Sequence, residues 1–169
     1  MAIKTLQEKF MHGLGDIYDA EHRFLEAQQK MLPNADSNEV QMNLETHIAE
    51  TEQQIVNLTQ VYEILGQKAQ RVSCDAAAGL VKEGDKLLSE TKDVPALADL
   101  AINGSCSKVE HYEIAAYRGL IAGADAMGQT DIVRLLTENL QQEEKTAQKL
   151  EMGMPTLLQQ AMKTATASA

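Results

Sequence analysis

CSKVEHYEIAAYRGLIAGA, residues 106–124, contains no proline and no strand-like alternation of apolar and polar residues. Cys106, Glu110, Glu113, Tyr117, Leu120 and Ala124 instead recur at intervals of three and four, which is the spacing of one face of an α-helix. Two of the six are glutamates. An unpaired buried carboxylate is expensive, so a helix with two acids on its inward stripe must meet compensating groups on its neighbours. Upstream, Ala98, Ala101, Gly104 and Ser105 are small and allow close helix approach. The pattern predicts one long helix from about Ala96 to Met127, broken by the run DAMGQTD.

Outward from this helix the same period recurs. A segment from about Ile3 to Leu32 carries Leu6, Phe10, Leu14, Ile17, Phe24 and Leu25, and ends at Pro33. PNADS then reads as a turn, with Ser37 as the N-cap of a helix from about Asn38 to Leu65. Val40, Leu44, Ile48, Ile55, Leu58, Tyr62 and Leu65 are its apolar stripe, and Gly66 stands where a C-terminal cap belongs. Gln67 to Val94 reads as a crossover with its own short helix, about Ala76 to Thr91, capped by Asp75. A last long helix from about Asp131 to Met152 carries Ile132, Leu136, Leu140, Ala147 and Leu150. Pro155 follows, and residues 156–169 read as a short frayed tail beyond a single domain of residues 1–155. Two short-looped hairpins joined by one long crossover predict an all-α, ferritin-like four-helix bundle with an extra short helix.

Composition narrows the class. The 169 residues carry a formal charge of −10, which argues against nucleic-acid or anionic-membrane partners. No apolar run approaches the roughly 20 residues of a transmembrane helix. The N-terminus does not resemble a signal peptide. Cys74 and Cys106 form no CxxC pair or disulfide framework, which fits a reducing cytoplasm.

Acidic residues interrupt the apolar stripe in each long helix. Glu21 falls between Ile17 and Phe24, and Glu143 between Leu140 and Ala147. His47 and Glu50 share a face of the second helix, as Glu110 and Glu113 do on the third. Glu21 and Glu50 are 29 residues apart, Glu113 and Glu143 are 30 apart, and the echo suggests a duplicated hairpin. Five carboxylates and one imidazole meeting in a core would repel one another without cations. Two iron or manganese ions bound by Glu21, His47, Glu50, Glu110, Glu113 and Glu143 would neutralise them. Glu8, Glu26, Glu45, Glu52 and Glu144 are assigned to solvated faces, as are His12 and His22; His111 is assigned a surface or supporting place. Tyr18 and Tyr117 flank the site or pack the core, and Cys106 is read as a buried, inert thiol.

YDAE (18–21), HIAETEQQI (47–55), KVEHYEIAAY (108–117) and LQQEEKTAQKL (140–150) resemble the YciE/YciF family of bacterial ferritin-like stress proteins. The resemblance implies a rubrerythrin-like set of acids, a stress role and a homodimer, and it selects the same Glu21, His47, Glu50, Glu110, Glu113 and Glu143. Broader ferritin-like proteins place a histidine three residues after the glutamate on the second and fourth helices; here those positions are Gln53 and Thr146. The expected chemistry is Fe(II) oxidation by peroxide or oxygen. The alternative is an inactive scaffold that acts as a dimeric interaction protein. No catalytic residue is assigned from the sequence.

Overall fold

The protein is described by a computed structural model that covers residues 2–167. Its five helices are α1 (Leu6–Met31), α2 (Asn38–Ile64), α3 (Asp75–Thr91), α4 (Pro95–Ala126) and α5 (Thr130–Ala167). No strand occurs among the described residues. The long helices form a ring in which α1 packs on α2 and α4, and α5 packs on α2 and α4; α3 lies across α1 and α4. This is the expected four-helix bundle with one crossover helix.

Local chemistry sets the helix ends. Thr5 and Glu8 form a reciprocal capping box at the start of α1. A single 3-10 turn, Leu32–Asn34, reverses the chain. The Ser37 hydroxyl then accepts from the Val40 amide, so the expected cap of α2 is present. The Asp99 carboxylate of α4 supports the same turn by accepting from the Asp36 and Ser37 amides at 2.8 and 2.9 Å. Gly66 closes α2 with φ of +64°, a left-handed conformation that a side chain would disfavour.

The crossover is pinned rather than loose. The Val72 amide donates to the Gly15 carbonyl at 2.9 Å, and a Cβ on Gly15 would meet Val72 Cγ2 at 2.5 Å. Asp19 is buried on α1 and accepts from Arg23, Arg71 and the Cys74 amide. These donors outweigh the burial penalty and hold its carboxyl down at about 2. The cap of α3 is Cys74, whose Sγ accepts from the Ala77 amide at 3.3 Å. The expected cap was Asp75, which instead becomes the first residue of the helix. The Asp19 contact holds the Cys74 backbone at the helix start and thereby shifts the boundary by one residue.

The C-terminal segment also departs from expectation. α5 does not stop near Met152 or fray at 156; it continues through Pro155 to Ala167. Proline lacks the amide that would bond back to Glu151. The helix persists because Leu157, in the next turn, is buried against the core. Residues 168 and 169 of the expected tail lie outside the described residues.

The interior has three layers. An apolar cluster around Leu14, Ile17, Leu58, Tyr62, Leu120 and Leu136 fills one end. Another around Met31, Val40, Leu44, Ile102, Leu150 and Leu157 fills the other. Between them each long helix contributes polar residues that are nevertheless buried: Glu21 and Gln28, His47 and Gln54, Glu110 and Glu113, and Glu143.

Candidate metal centre

In the middle layer one ligand atom from each of His47, Glu110, Glu113 and Glu143 lies within 4.8 Å of all the others. These residues come from α2, α4 and α5: Glu110 and Glu113 from the middle of α4, His47 and Glu143 from the N-terminal halves of α2 and α5. His47 Nε2 is 3.1 Å from Glu110 Oε1 and 3.9 Å from Glu143 Oε2. Glu21 of α1 completes the layer. It accepts a short hydrogen bond from the Tyr117 hydroxyl and adjoins Glu113. The sixth expected ligand, Glu50, lies at the edge. It is half-buried, accepts from the Thr146 hydroxyl at 3.2 Å, and shares a cavity with His47 and Lys149. At about 100° per residue, His47, Thr51, Gln54 and Leu58 centre the inward face of α2, and Glu50 sits about 60° off it. The echo between the hairpins is thus incomplete at Glu50.

Six carboxylate oxygens in this layer, Glu21 Oε2, both of Glu110, Glu113 Oε2 and both of Glu143, are buried without a well-aligned hydrogen-bond donor among the described residues, although His47 Nε2 stands 3.1 Å from Glu110 Oε1. Buried polar atoms in native proteins are nearly always satisfied. Burial drives the carboxyls of Glu21, Glu110 and Glu113 well above the usual range, and their proximity to Glu143 drives them further. Glu143 is raised to about 7, chiefly by burial and partly by Glu50. Burial and the Lys149 charge lower His47 to about 4, so it is neutral at physiological pH, the form in which imidazole ligates metals. Without a cation the layer must therefore hold protons, and a bound cation would displace them.

Supporting contacts fix the layer. The Gln28 amide nitrogen is 3.3 and 3.4 Å from the two His47 ring nitrogens, and Gln28 is hydrogen bonded to Thr51. Asn139 donates to the Tyr117 hydroxyl at 2.9 Å and accepts from Asn57. Tyr117 therefore flanks the site, whereas Tyr18 packs edge-on against Tyr62 and His22. Asn139 and Gln54 escaped the sequence reading, although Asn139 is one turn before Glu143 and Gln54 one turn after Glu50. Their signal is the same as that of the acids: polar residues on an inward stripe.

The residues assigned elsewhere fall where expected, except that His22 is partly covered by Tyr18. Glu8, Glu26, Glu45, Glu52, Glu144 and His12 are exposed, and His22 is half-buried outside the site. His111 is exposed, 3.3 Å from Glu151. Cys106 is buried, and burial pushes its thiol up to about 12, so it is unreactive at neutral pH. Gln53 is exposed and Thr146 is turned to Glu50, so neither position replaces a second imidazole. No helix among the described residues is long and apolar enough to cross a membrane.

Residues 5–163 match the family described as "Domain of unknown function (DUF892)". The chain is 33% identical over 151 residues to Protein YciF of Escherichia coli strain K12, spanning 89% of this chain and 90% of the relative. The crystal structure of the E. coli stress protein YciF aligns with a TM-score of 0.87 at 31% identity, covering 93% of this chain and 99% of that one. YcfI from Rhodopseudomonas palustris aligns with a TM-score of 0.83 at 43% identity, covering 88% and 94% of the two chains. A protein from Xanthomonas campestris pv. campestris shares the fold at 20% identity, with a TM-score of 0.76 and coverage of 96% and 99%.

Proposed function

The chain belongs to the DUF892 family, with YciF among its relatives, and we propose that it is a ferritin-like metalloprotein that works in a cytoplasmic stress response. The supporting observation is the set of six buried carboxylate oxygens without a well-aligned donor, gathered beside one neutral imidazole. Such a donor set fits iron or manganese. His47, Glu110, Glu113 and Glu143 would hold one ion. Glu21, which adjoins Glu113 and Glu143, would join those two in holding a second, with Glu50 available at the edge.

Iron held there would supply one-electron redox chemistry, with Fe(II) oxidised by oxygen or peroxide. The chain's own part is to fix the donors and manage charge. Gln28 and Thr51 steady the His47 ring. Tyr117 holds one oxygen of Glu21 and leaves the other free to ligate. The concentration of carboxylates favours the higher oxidation state, and the two apolar clusters close the layer at its two ends along the bundle. A stress protein that acts as a homodimer fits the YciF resemblance.

Glu113→Ala tests this reading against Glu52→Ala on the exposed face. Removing Glu113 should slow Fe(II) oxidation by about a hundredfold, the upper end of the losses typical when even an outer-shell partner of a metal ligand is removed. Glu52→Ala should leave the rate unchanged, and circular dichroism should show both variants helical. Equal rates in both variants and the parent would favour the inactive scaffold, a reading that the absence of a second imidazole supplies with its one structural argument.

A further inference from the structure

Two cavities of about 20 Å³ each border both His47 and Cys106. Each has room for one or two water-sized molecules, since a water needs roughly 10–15 Å³. Their walls differ in kind. The cavity between α2, α4 and α5 includes Asn43, Thr46, Glu50, Asn103, Thr146 and Lys149, which suit water and ions. The cavity between α1, α3 and α4 is walled mainly by Phe24, Ala27, Met31, Leu80, Val81 and Val109, and its polar border is limited to His47, Gln28 and Ser105. The crossover helix lies tightly over this second cavity: a Cβ on Gly84 would meet Met31 Cε at 3.1 Å and Ser105 Oγ at 3.4 Å.

We propose that the apolar cavity between α1, α3 and α4 is a binding site for dioxygen, held against the His47 side of the polar layer. The inference rests on the metal-centre reading for its purpose, and it makes dioxygen rather than peroxide the oxidant that the fold receives. A mainly apolar wall offers water few of the two to four polar partners it needs, and so favours an apolar guest. Peroxide would surrender its hydrogen bonds to water on entering, with few polar partners to replace them. Dioxygen has almost none to lose, and apolar surroundings favour it over water. The second cavity leaves a separate, polar approach for ions. Oxidant and cation would thus reach His47 from different sides.

Krypton-pressurised crystals of the metal-free protein test the site without any turnover. The expected result is an anomalous peak among Phe24, Ala27 and Val109, and none in the cavity beside Glu50 and Lys149. Ala27→Leu fills the space and should abolish the peak; Val81→Phe, from the half-buried side of α3, does the same if the first variant fails to fold. In iron-loaded protein the filled cavity should slow oxidation by dioxygen at least about tenfold, while oxidation by peroxide stays within about twofold. Absence of krypton from the apolar cavity of the parent, or equal slowing with both oxidants, overturns the proposal. A krypton peak in a protein that takes up no metal would retire the proposed function and leave the gas-binding cavity standing.

Discussion

Metal-free protein at pH 8 should gain roughly 4 kcal/mol of stability when Mn(II), or Fe(II) without oxygen, is supplied at a thousand times its dissociation constant. For a chain of this size that is a rise in melting temperature of roughly 8–16 °C. The gain should depend on pH in a way the buried layer dictates. Glu143 is raised to about 7 by burial and by Glu50, so the metal-free fold binds more protons than the unfolded chain between the ordinary carboxyl range and pH 7. Its contribution therefore falls as pH rises through that window, and the penalty is complete above it. His47 is lowered to about 4, so its contribution rises with pH between about 4 and its ordinary value near 6.5. The two slopes oppose each other up to pH 6.5. Above that the carboxyls alone act, and Glu21, Glu110 and Glu113, also raised by burial and by Glu143, act in the same direction. A bound cation removes the need for those protons. The difference in melting temperature with and without metal should widen steadily from pH 6 to 8. A constant difference, or none, would separate the buried acids from metal binding.

Glu143→Gln should stabilise the metal-free protein at pH 8 by up to about 3 kcal/mol. This is the linkage value of moving a carboxyl from its ordinary range to about 7, at 1.36 kcal/mol per unit. At pH 4.5, where the native carboxyl is already protonated, the variant and the parent should be nearly equal. The same variant should lose the stabilisation by Mn(II), because a neutral amide replaces one of the four grouped ligands. Urea denaturation at the two pH values, with and without the ion, measures all of this. A variant destabilised equally at both would show that Glu143 is accommodated by structure rather than by a proton or a cation.

The bundle was legible because its signals are local and repeated. The three-and-four spacing in Leu14, Ile17, Glu21 and Phe24 gives a helix and its inward face together, and Ser37 and Gly66 mark the ends of α2. The inward acids were legible for the same reason, since Glu21, Glu110, Glu113 and Glu143 occupy positions where an apolar residue is expected, and all are buried. What was not legible depends on neighbours distant in sequence. α5 continues past Pro155 because Leu157 meets the second core cluster. Cys74 caps α3 because Asp19, 55 residues earlier, holds its amide. Glu50 shares a helix face with His47 at coarse resolution, yet lies far enough round α2 to reach Thr146 rather than the centre of the layer. The cavity beside Phe24 and Val109 arises from how α3 rests on α1 and α4, which no single stripe encodes.

The direct test is the metal content of protein produced in iron- and manganese-replete medium and purified without chelator, measured by elemental analysis beside Glu110→Gln. The expected result is about two ions of iron or manganese per chain, the number a di-metal carboxylate bundle holds, with a clear loss in the variant. Protein that carries no transition metal, and takes up none on titration, would contradict the account.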